Sequence, residues 1–188
     1  MFAGKIRRKR NKQLEEIARR LLRKVGVDNG KTVLDFGCGS GIYTIPAAKI
    51  VGGEGKVIAL DKDAVVLDEL MRKAESEGLE NIKKMRTSGE LKIDLREKSV
   101  DVVLLYDVFH DCYFPQMSER RKLLDKFYKI LKPNGILSVY PKHMDSGRIK
   151  AEIESANFVL EHEYSGTLIH DNKDIEDSQV MNFRKRTR

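Results

Sequence analysis

Three glycines spaced by two residues lie in the most informative segment of the chain, Val33-Leu34-Asp35-Phe36-Gly37-Cys38-Gly39-Ser40-Gly41. This segment joins an apolar strand pattern to a helix pattern. Glycine has no Cβ, so it takes backbone angles that strain other residues and lets a ligand approach the main chain closely. Such a turn, after the first strand of an α/β sheet, is where these sheets bind ligands. The spacing therefore predicts a ligand-binding loop with contacts from Gly37, Cys38, Gly39 and Gly41.

The acid Asp35, two residues before the first glycine, indicates which ligand charge the loop accepts. The dinucleotide pattern G-x-G-x-x-G would need a glycine at position 42, where the chain has Ile42. A carboxylate repels a pyrophosphate at short range. It attracts an ammonium or sulfonium group, by on the order of a few kcal/mol at an intermediate dielectric. The motif therefore favours a cationic, amine-bearing nucleoside over NAD.

A second acid, Asp61, ends the next apolar run, Val57-Ile58-Ala59-Leu60. A carboxylate at the end of the second strand is placed to accept hydrogen bonds from both hydroxyls of a ribose. Enzymes that bind NAD use the same arrangement, so Asp61 indicates a ribose and not a particular cofactor. The alternative is that Asp61 caps the helix that follows.

Together these features resemble the class I S-adenosylmethionine-dependent methyltransferases, in particular the small-molecule branch that includes the ubiquinone and menaquinone methyltransferases. The resemblance rests on the first motif, on Asp61, on Val100-Asp101-Val102-Val103-Leu104-Leu105 and on Leu131-Lys132-Pro133-Asn134-Gly135-Ile136-Leu137. It covers roughly Lys31 to Tyr140. It implies S-adenosyl-L-methionine as the cofactor and methyl transfer as the activity.

The resemblance also implies further cofactor contacts. Lys62 is expected to flank the adenine, and Tyr106, at the end of the fourth strand, is expected to contribute to the same pocket. At the end of the third strand the family usually has an acid or polar residue against the adenine amino group. Ser88 and Gly89, followed by Glu90, stand there instead of the usual Asp, which is the clearest departure from the family pattern.

His110 is the candidate catalytic residue. It follows the fourth strand, at the mouth of the sheet, and a histidine there can take a proton from a substrate hydroxyl or amine. It can equally cap a helix or bind a backbone carbonyl. The remaining histidines, His143, His162 and His170, are scattered along the sequence without metal-ligand spacing, so the sequence predicts no metal.

The elements that must position these residues alternate between strand and helix. Continuous β-branched runs favour strands that are covered on both faces, and their alternation with helices favours a parallel sheet. With the resemblance, this predicts a Rossmann-like α/β fold: a mostly parallel seven-stranded sheet, an antiparallel edge strand and helices on both faces. The predicted strands are Thr32–Phe36, Lys56–Leu60, Ile82–Arg86, Val100–Leu105, Ile136–Tyr140, Phe158–Tyr164 and Gln179–Arg184. The predicted helices are Gln13–Val25, one from Ile42, Ala64–Glu77, Met117–Leu131 and Gly147–Ala156.

Two connections carry expectations of their own. Pro133-Asn134-Gly135 predicts a turn before the fifth strand, with Gly135 free to take a positive φ. A polar 14-residue connection, 165–178, is expected between the last two strands.

Composition limits the class of protein. The chain of 188 residues has 40% hydrophobic and 35% charged residues, which suits one packed domain, and no apolar run long enough for a membrane span. Its start has no signal-peptide pattern, and Cys38 and Cys112 are too few for a disulfide framework, so a cytoplasmic protein is expected. Residues 1–30 are predicted to form a basic leader and a lid helix, with Phe114–Met117 as a second lid segment, and residues 31–188 the cofactor-binding domain.

The net charge of +7 is concentrated at the two ends of the chain. Residues 1–24 carry a net charge of +8 and residues 184–188 carry +4, whereas the body between them is acidic. Basic ends can bind nucleic acid, although solvated tails are the simpler interpretation.

The first functional hypothesis is a methyltransferase with a small-molecule acceptor. The alternatives are a methyltransferase that acts on RNA or protein through the basic ends, which is possible but not favoured, and a non-catalytic nucleotide-binding module. The sequence predicts neither the acceptor nor the oligomeric state.

Overall fold

Seven strands form one sheet in the computed structural model, which describes residues 2–87, 93–170 and 174–186, with side chains from residue 9 onward. The sheet order is β3-β2-β1-β4-β5-β7-β6, in which β7 is antiparallel to both of its neighbours and the other pairs are parallel. The strands are β1 (Thr32–Phe36), β2 (Lys56–Asp61), β3 (Ile82–Arg86), β4 (Val100–Tyr106), β5 (Leu131–Tyr140), β6 (Phe158–His170) and β7 (Asp174–Lys185). The predicted fold class is confirmed.

Helices cover both faces of the sheet. Successive residues of a strand point to opposite faces, and in these strands both sets are apolar. Val33 packs into a core with α1, α2 and α3, whereas its neighbour Leu34 packs into a second core with α4 and α5. This is the burial that continuous apolar strands require. The helices are α1 (Phe2–Lys24), α2 (Thr44–Val51), α3 (Ala64–Ser76), α4 (Met117–Ile130) and α5 (Ser146–Ser155).

The order of the strands reverses between β1 and β4, which are neighbours in the sheet. The chain runs outward from β1 to β3 on one side and then returns to β4 and β5 on the other. Connections that leave the carboxyl ends of β1 and β4 therefore diverge and open a crevice, the usual ligand site of a doubly wound sheet.

The prediction of a polar 14-residue connection between the last two strands is wrong, because β6 and β7 extend through most of these residues. The pairing continues from Ser165 with Gln179 to His170 with Asp174. Many side chains of this extension are exposed, because part of it stands clear of the rest of the fold. An exposed hairpin can be polar on both faces, so its sequence resembles a loop. The extension brings the end of β6 to the mouth of the crevice.

The expected turn at Pro133-Asn134-Gly135 is an irregular part of β5. The pairing register shifts from Val100 opposite Leu131 to Val102 opposite Ile136, so the extra residues bulge out of the ladder. Gly135 does not take the positive φ that was predicted. Glycine is needed at this position because a side chain has no room: a Cβ would lie 2.8 Å from Cδ2 of Leu131 and 3.1 Å from the carbonyl oxygen of Lys132.

Helix α1 begins at Phe2, well before the predicted Gln13, and its second half belongs to the core. Leu14, Ala18, Leu21 and Leu22 are buried at helical spacing, and Val25 follows just after the helix. The lid role expected for residues 1–30 stays a prediction. Within the described residues, no helix has both the length and the apolar character needed to cross a bilayer.

Candidate active site

A cavity of about 370 Å³ lies at the carboxyl ends of β1, β2 and β4, where the reversal of strand order predicts a site. This is a size typical of small-molecule sites. Its described lining comes from the glycine loop, the ends of these strands, the segments after β3 and after β4, and the end of β6, and none of it from α1. The lining residues are Asp35, Phe36, Gly37, Cys38, Gly39, Ile42, Tyr43, Leu60, Asp61, Lys62, Thr87, Ile93, Tyr106, Asp107, Val108, Tyr113, Phe114 and Ile169.

The glycine loop has the conformation that only glycine adopts easily. Gly37, Gly39 and Gly41 have φ values of 75°, 49° and 81°. The backbone N–H groups of Gly37 and Cys38 both donate to the carbonyl oxygen of Leu60, at 2.8 and 3.0 Å. These bonds tie the loop to the end of β2. Gly37, Cys38 and Gly39 line the cavity, and Gly41 serves the packing instead, since a Cβ there would lie 2.2 Å from Cδ1 of Leu70.

The carboxylate of Asp61 connects the loop to the second strand. Its Oδ2 accepts the N–H of Gly39 at 2.9 Å and its Oδ1 accepts the N–H of Asp63 at 3.1 Å. Asp63, and not Asp61, caps α3, because its Oδ1 accepts the N–H groups of Val65 and Val66. The helix-cap alternative for Asp61 is therefore wrong, and its carboxylate faces the cavity.

Asp35 is buried beneath the loop and lines the cavity from below. Its Oδ2 accepts the hydroxyl of Thr44 at 2.6 Å. Burial raises the pKa of Asp35 to about 6; the Thr44 hydrogen bond opposes this rise and the negative charge of Asp61 adds to it. A buried carboxylate of this kind gains from any cation that enters the cavity.

Two buried tyrosines form a wall of the cavity. The rings of Tyr43 and Tyr106 meet edge to face with centroids 4.9 Å apart. The hydroxyl of Tyr106 pairs with Ser138 at 2.9 Å, and that of Tyr43 donates to the carbonyl oxygen of Ile169 and accepts its N–H. Burial raises the pKa of both hydroxyls, so both stay neutral. The predicted residue Tyr106 lies in the cavity wall with its hydroxyl engaged.

The structure describes only some of the residues that are predicted to contact the adenine. Lys62 lines the cavity, and its Nζ lies 5.1 Å from the centroid of the Tyr113 ring. Ser88 and Gly89 lie outside the described residues, as does Glu90. Thr87 and Ile93, which flank that gap, line the cavity.

A buried arginine anchors the segment that follows β4. The side chain of Arg120 on α4 is 1% exposed and binds Asp111 at 2.7 Å, Glu152 at 2.6 Å and the carbonyl oxygen of Phe114 at 2.5 Å. These bonds fix the segment that carries Tyr113 and Phe114, which close one side of the cavity.

His110 lies in that segment, buried, but it is not among the described residues that line the cavity. Its ring packs against Tyr113, with centroids 4.7 Å apart, and its Nδ1 accepts the N–H of Cys112 at 3.3 Å. Burial, followed by the nearby His143, lowers the pKa of His110. The imidazole is thus neutral at neutral pH.

Two of the three other histidines, although scattered along the sequence, meet in the fold. His143, after β5, and His170, at the end of β6, meet with their Nε2 atoms 3.1 Å apart, and both contact Asp107. The ring of His110 lies 5.0 Å from that of His143. His162 stays apart, packed against Tyr164.

Several site residues carried no sequence prediction. Thr44 had a weak signal, as a polar residue at the start of an otherwise apolar helix. Asp107 had a stronger one, as an acid directly after a buried strand, and it takes a positive φ of 54° that the turn imposes. Tyr43, Tyr113 and Ile169 had none, because their role depends on which elements meet.

Comparison with known proteins agrees with this geometry. A family model described as a methyltransferase domain matches residues 33–135, more than half of the chain. Demethylmenaquinone methyltransferase of Lactobacillus johnsonii is 26% identical over 121 residues, which cover 64% of this chain and 48% of that protein. The enzyme of the same name from Geobacillus stearothermophilus is 28% identical over 116 residues, 62% of this chain and 47% of the relative. The chain thus spans about half the length of these curated relatives.

A solved structure extends the likeness to the whole fold. A SAM-dependent methyltransferase from Aquifex aeolicus superposes with a TM-score of 0.74 at 23% identity, covering 96% of both chains. At this identity the likeness concerns the fold alone.

Proposed function

Because this chain belongs to the methyltransferase-domain family, whose cofactor is S-adenosylmethionine, we propose that it transfers the methyl group to a small-molecule acceptor. The observation that carries the proposal is the pair of carboxylates, Asp35 and Asp61, on either side of the glycine loop in one cavity. Bound S-adenosylmethionine supplies an electrophilic methyl group on a positively charged sulfur.

The residues of the cavity fit that cofactor. The buried carboxylate of Asp35 is placed to compensate an ammonium group. Asp61, at the rim, offers two acceptor oxygens for ribose hydroxyls. A Cβ at Gly37 would lie 2.8 Å from Cγ2 of Val108, so this part of the cavity needs the missing side chain. Lys62, which lines the cavity, is proposed to border the adenine end.

The acceptor is proposed to enter beside Tyr113, Phe114 and Ile169, which form an apolar and aromatic edge of the cavity. A cavity of this size suits a small molecule better than a polymer. The names of the relatives, demethylmenaquinone methyltransferases, also support a small aromatic acceptor. A quinol or phenol is therefore the first class to test.

The first experiment measures cofactor binding by calorimetry. S-adenosylmethionine and S-adenosylhomocysteine are expected to bind, and NAD is not, because Asp35 opposes a pyrophosphate. An Asp35→Asn variant removes the charge at nearly constant volume and is expected to bind the cofactor weakly. If NAD bound more tightly than S-adenosylhomocysteine, the proposal would be wrong.

The second experiment follows labelled methyl transfer to a panel of quinols, phenols, amines and thiols, with an RNA pool and a protein lysate as further acceptors. Label in a small molecule supports the proposal. Label only in RNA or protein contradicts the proposed acceptor class, and the absence of any transfer favours a binding module.

His110 is proposed as the general base of this reaction, since its ring contacts Tyr113 at the acceptor edge. His110→Gln is expected to lower turnover by roughly 10²–10⁴ and to leave the affinity for S-adenosylhomocysteine unchanged. His162→Gln, a histidine outside the site, is the matched control. A His110→Gln variant as active as the parent would remove His110 from the mechanism.

A further inference from the structure

Two histidines and one aspartate converge at the acceptor side of the cavity. The Nε2 of His143 lies 3.2 Å from Oδ1 of Asp107, and the Nε2 of His170 lies 2.9 Å from Oδ2 of the same carboxylate. The two Nε2 atoms are themselves 3.1 Å apart. The three side chains come from the segments after β4 and β5 and from the end of β6, so distant parts of the chain build this triad.

The three contacts among these side chains cannot all be hydrogen bonds at the same time. Each Nε2 carries at most one hydrogen, which points in one direction. If both nitrogens donate to Asp107, two N–H groups face each other across 3.1 Å. If His143 donates to His170 instead, the lone pair of His170 faces a carboxylate oxygen. A single cation at the centre of the triad would satisfy all three contacts.

The donor set is one that transition metals prefer. Two imidazole nitrogens and a carboxylate, with open positions beside them, form zinc sites and the facial triads of iron(II). Neighbouring ligands on a tetrahedral zinc ion, with bonds of about 2.0–2.1 Å, stand about 3.3 Å apart. The triad separations of 2.9–3.2 Å are within a few tenths of an ångström of that value.

The surroundings give the triad both support and access. The side chain of His143 is 44% exposed, whereas those of Asp107 and His170 are 19% and 13% exposed, so the triad opens to solvent on one side. His110 lies next to the triad. One ring nitrogen of His110, one ring nitrogen of His143 and one carboxylate oxygen of Asp107 lie within 4.8 Å of one another. Asp107 also lines the cavity.

From this arrangement we propose that Asp107, His143 and His170 bind one divalent transition-metal ion, with an open coordination position toward the cavity. The role of the ion rests on the proposed function: it would bind and orient an oxygen or sulfur atom of the acceptor, as metal ions do in other group-transfer sites. This reverses the expectation from the sequence, where the spacing of the histidines indicated no metal.

The test uses the full chain without a histidine tag, stripped with a chelator and dialysed against Zn²⁺ or Co²⁺. Elemental analysis is expected to find one ion per chain, and Co²⁺ is expected to show the visible absorption of a low-symmetry site. His143→Gln and His170→Gln are each expected to lower the affinity for Co²⁺ by at least about 10–100-fold, the loss seen when even a supporting group is removed. His162→Gln, on the same strand as His170, is expected to bind like the parent.

The proposal is overturned if the parent retains no ion above background, or if both triad variants bind Co²⁺ as the parent does. Because the side chain of His143 is nearly half exposed, His143→Gln is expected to keep the parent melting temperature, which would separate lost binding from lost folding. Calorimetry with S-adenosylhomocysteine on the same metal-free samples separates the two proposals. Cofactor binding without metal binding rejects only the metal site, and no cofactor binding rejects the proposed function.

Discussion

Asp35 shows how one residue can carry both a binding role and a pH dependence. The carboxyl group is buried, and its hydrogen-bond donor from Thr44 keeps the charged form accessible despite that burial. The charge is therefore costly in the free protein and is compensated only when a cation arrives.

Affinity for S-adenosylhomocysteine is predicted to fall as the pH drops below about 6. The pKa of Asp35 in the free protein is about 6. Below it the carboxyl is protonated and must release its proton before it can bind an ammonium, so affinity falls by up to about tenfold per pH unit. Above it the carboxylate is already charged, and affinity is flat.

Calorimetry between about pH 5 and pH 8 checks this prediction. Asp35→Asn is the control, since its weak binding has no carboxyl to titrate. An affinity of the parent that stayed constant across the range would show that Asp35 does not face the amine.

Asp61 is predicted to serve both the ligand and the loop. Asp61→Ala removes the acceptor oxygens for a ribose, so affinity for S-adenosylhomocysteine should weaken by about 1.5–3 kcal/mol. The variant also leaves the N–H groups of Gly39 and Asp63 without their acceptor. The free energy of unfolding should therefore drop as well, by about 1 kcal/mol.

Asp63→Ala is the matched control, because it removes the cap of α3 from a residue that is not among the described lining of the cavity. It should cost about 1 kcal/mol of stability and leave affinity unchanged. If both variants lost stability equally and neither lost affinity per folded molecule, Asp61 would be structural only.

At the scale of elements, the glycine loop is a tight turn held between β1, β2 and α3. Its three positive φ angles and its bonds to Leu60 and Asp61 make it stiff before any ligand binds. A stiff loop loses little conformational entropy on binding, which favours affinity.

Gly41→Ala is predicted to destabilise the fold by about 1–3 kcal/mol, because the new Cβ meets Leu70 and the φ of 81° strains any L residue. Gly53→Ala is the control, since a Cβ there meets nothing within 4 Å and the φ is not positive. Urea unfolding of the two variants measures the difference. Equal midpoints would contradict the packing role assigned to Gly41.

The segment between β4 and α4 differs from the glycine loop, because side-chain bonds hold it and not pairing with a strand. Arg120 supplies the charge that Asp111 and Glu152 need, and Arg148 adds a further contact to Asp111 at 2.9 Å. The buried charge of Arg120 is compensated by Glu152, and the bonds from Arg120 to Asp111 and to the carbonyl oxygen of Phe114 hold this segment in place.

At the scale of the whole molecule, the two halves of α1 differ in what they do for the fold. The side chains of residues 9–13 are exposed, whereas Leu14, Ala18, Leu22 and Val25 are buried in the core beneath α2 and β6. Lys49 also binds Glu15 at 2.7 Å.

Removal of residues 1–12 is therefore predicted to leave the melting temperature within a few degrees of the parent, and removal of residues 1–25 to prevent folding. The second deletion exposes much of a core face and costs more than the typical net stability of about 5–15 kcal/mol. Circular dichroism and thermal melts measure both. The shorter deletion also tests the lid: methyl transfer that survives it would confine any lid to the remaining helix and to Phe114–Met117.

The sequence by itself determined the fold class and identified the glycine loop and two acids that the structure brings to one cavity. Periodic burial along β1 to β5, and the chemistry of a glycine turn between two acids, are local properties, so they can be recognised in a linear chain. Gly37, Cys38, Gly39, Asp35 and Asp61 were all predicted and all meet in one cavity. The cofactor contacts of these residues, the acceptor and the lid role remain predictions.

Only the tertiary structure decided the arrangement around Asp107, where the acceptor is proposed to bind. Residues 165–167 and most of 174–179 in the hairpin of β6 and β7 are exposed, so their polarity concealed the strands, and the length of the strands determines where His170 lies. Asp107, His143 and His170 are separated by dozens of residues and meet because β4, β5 and β6 end at the same edge of the sheet. Such convergence depends on strand order and register, which no spacing along the chain contains.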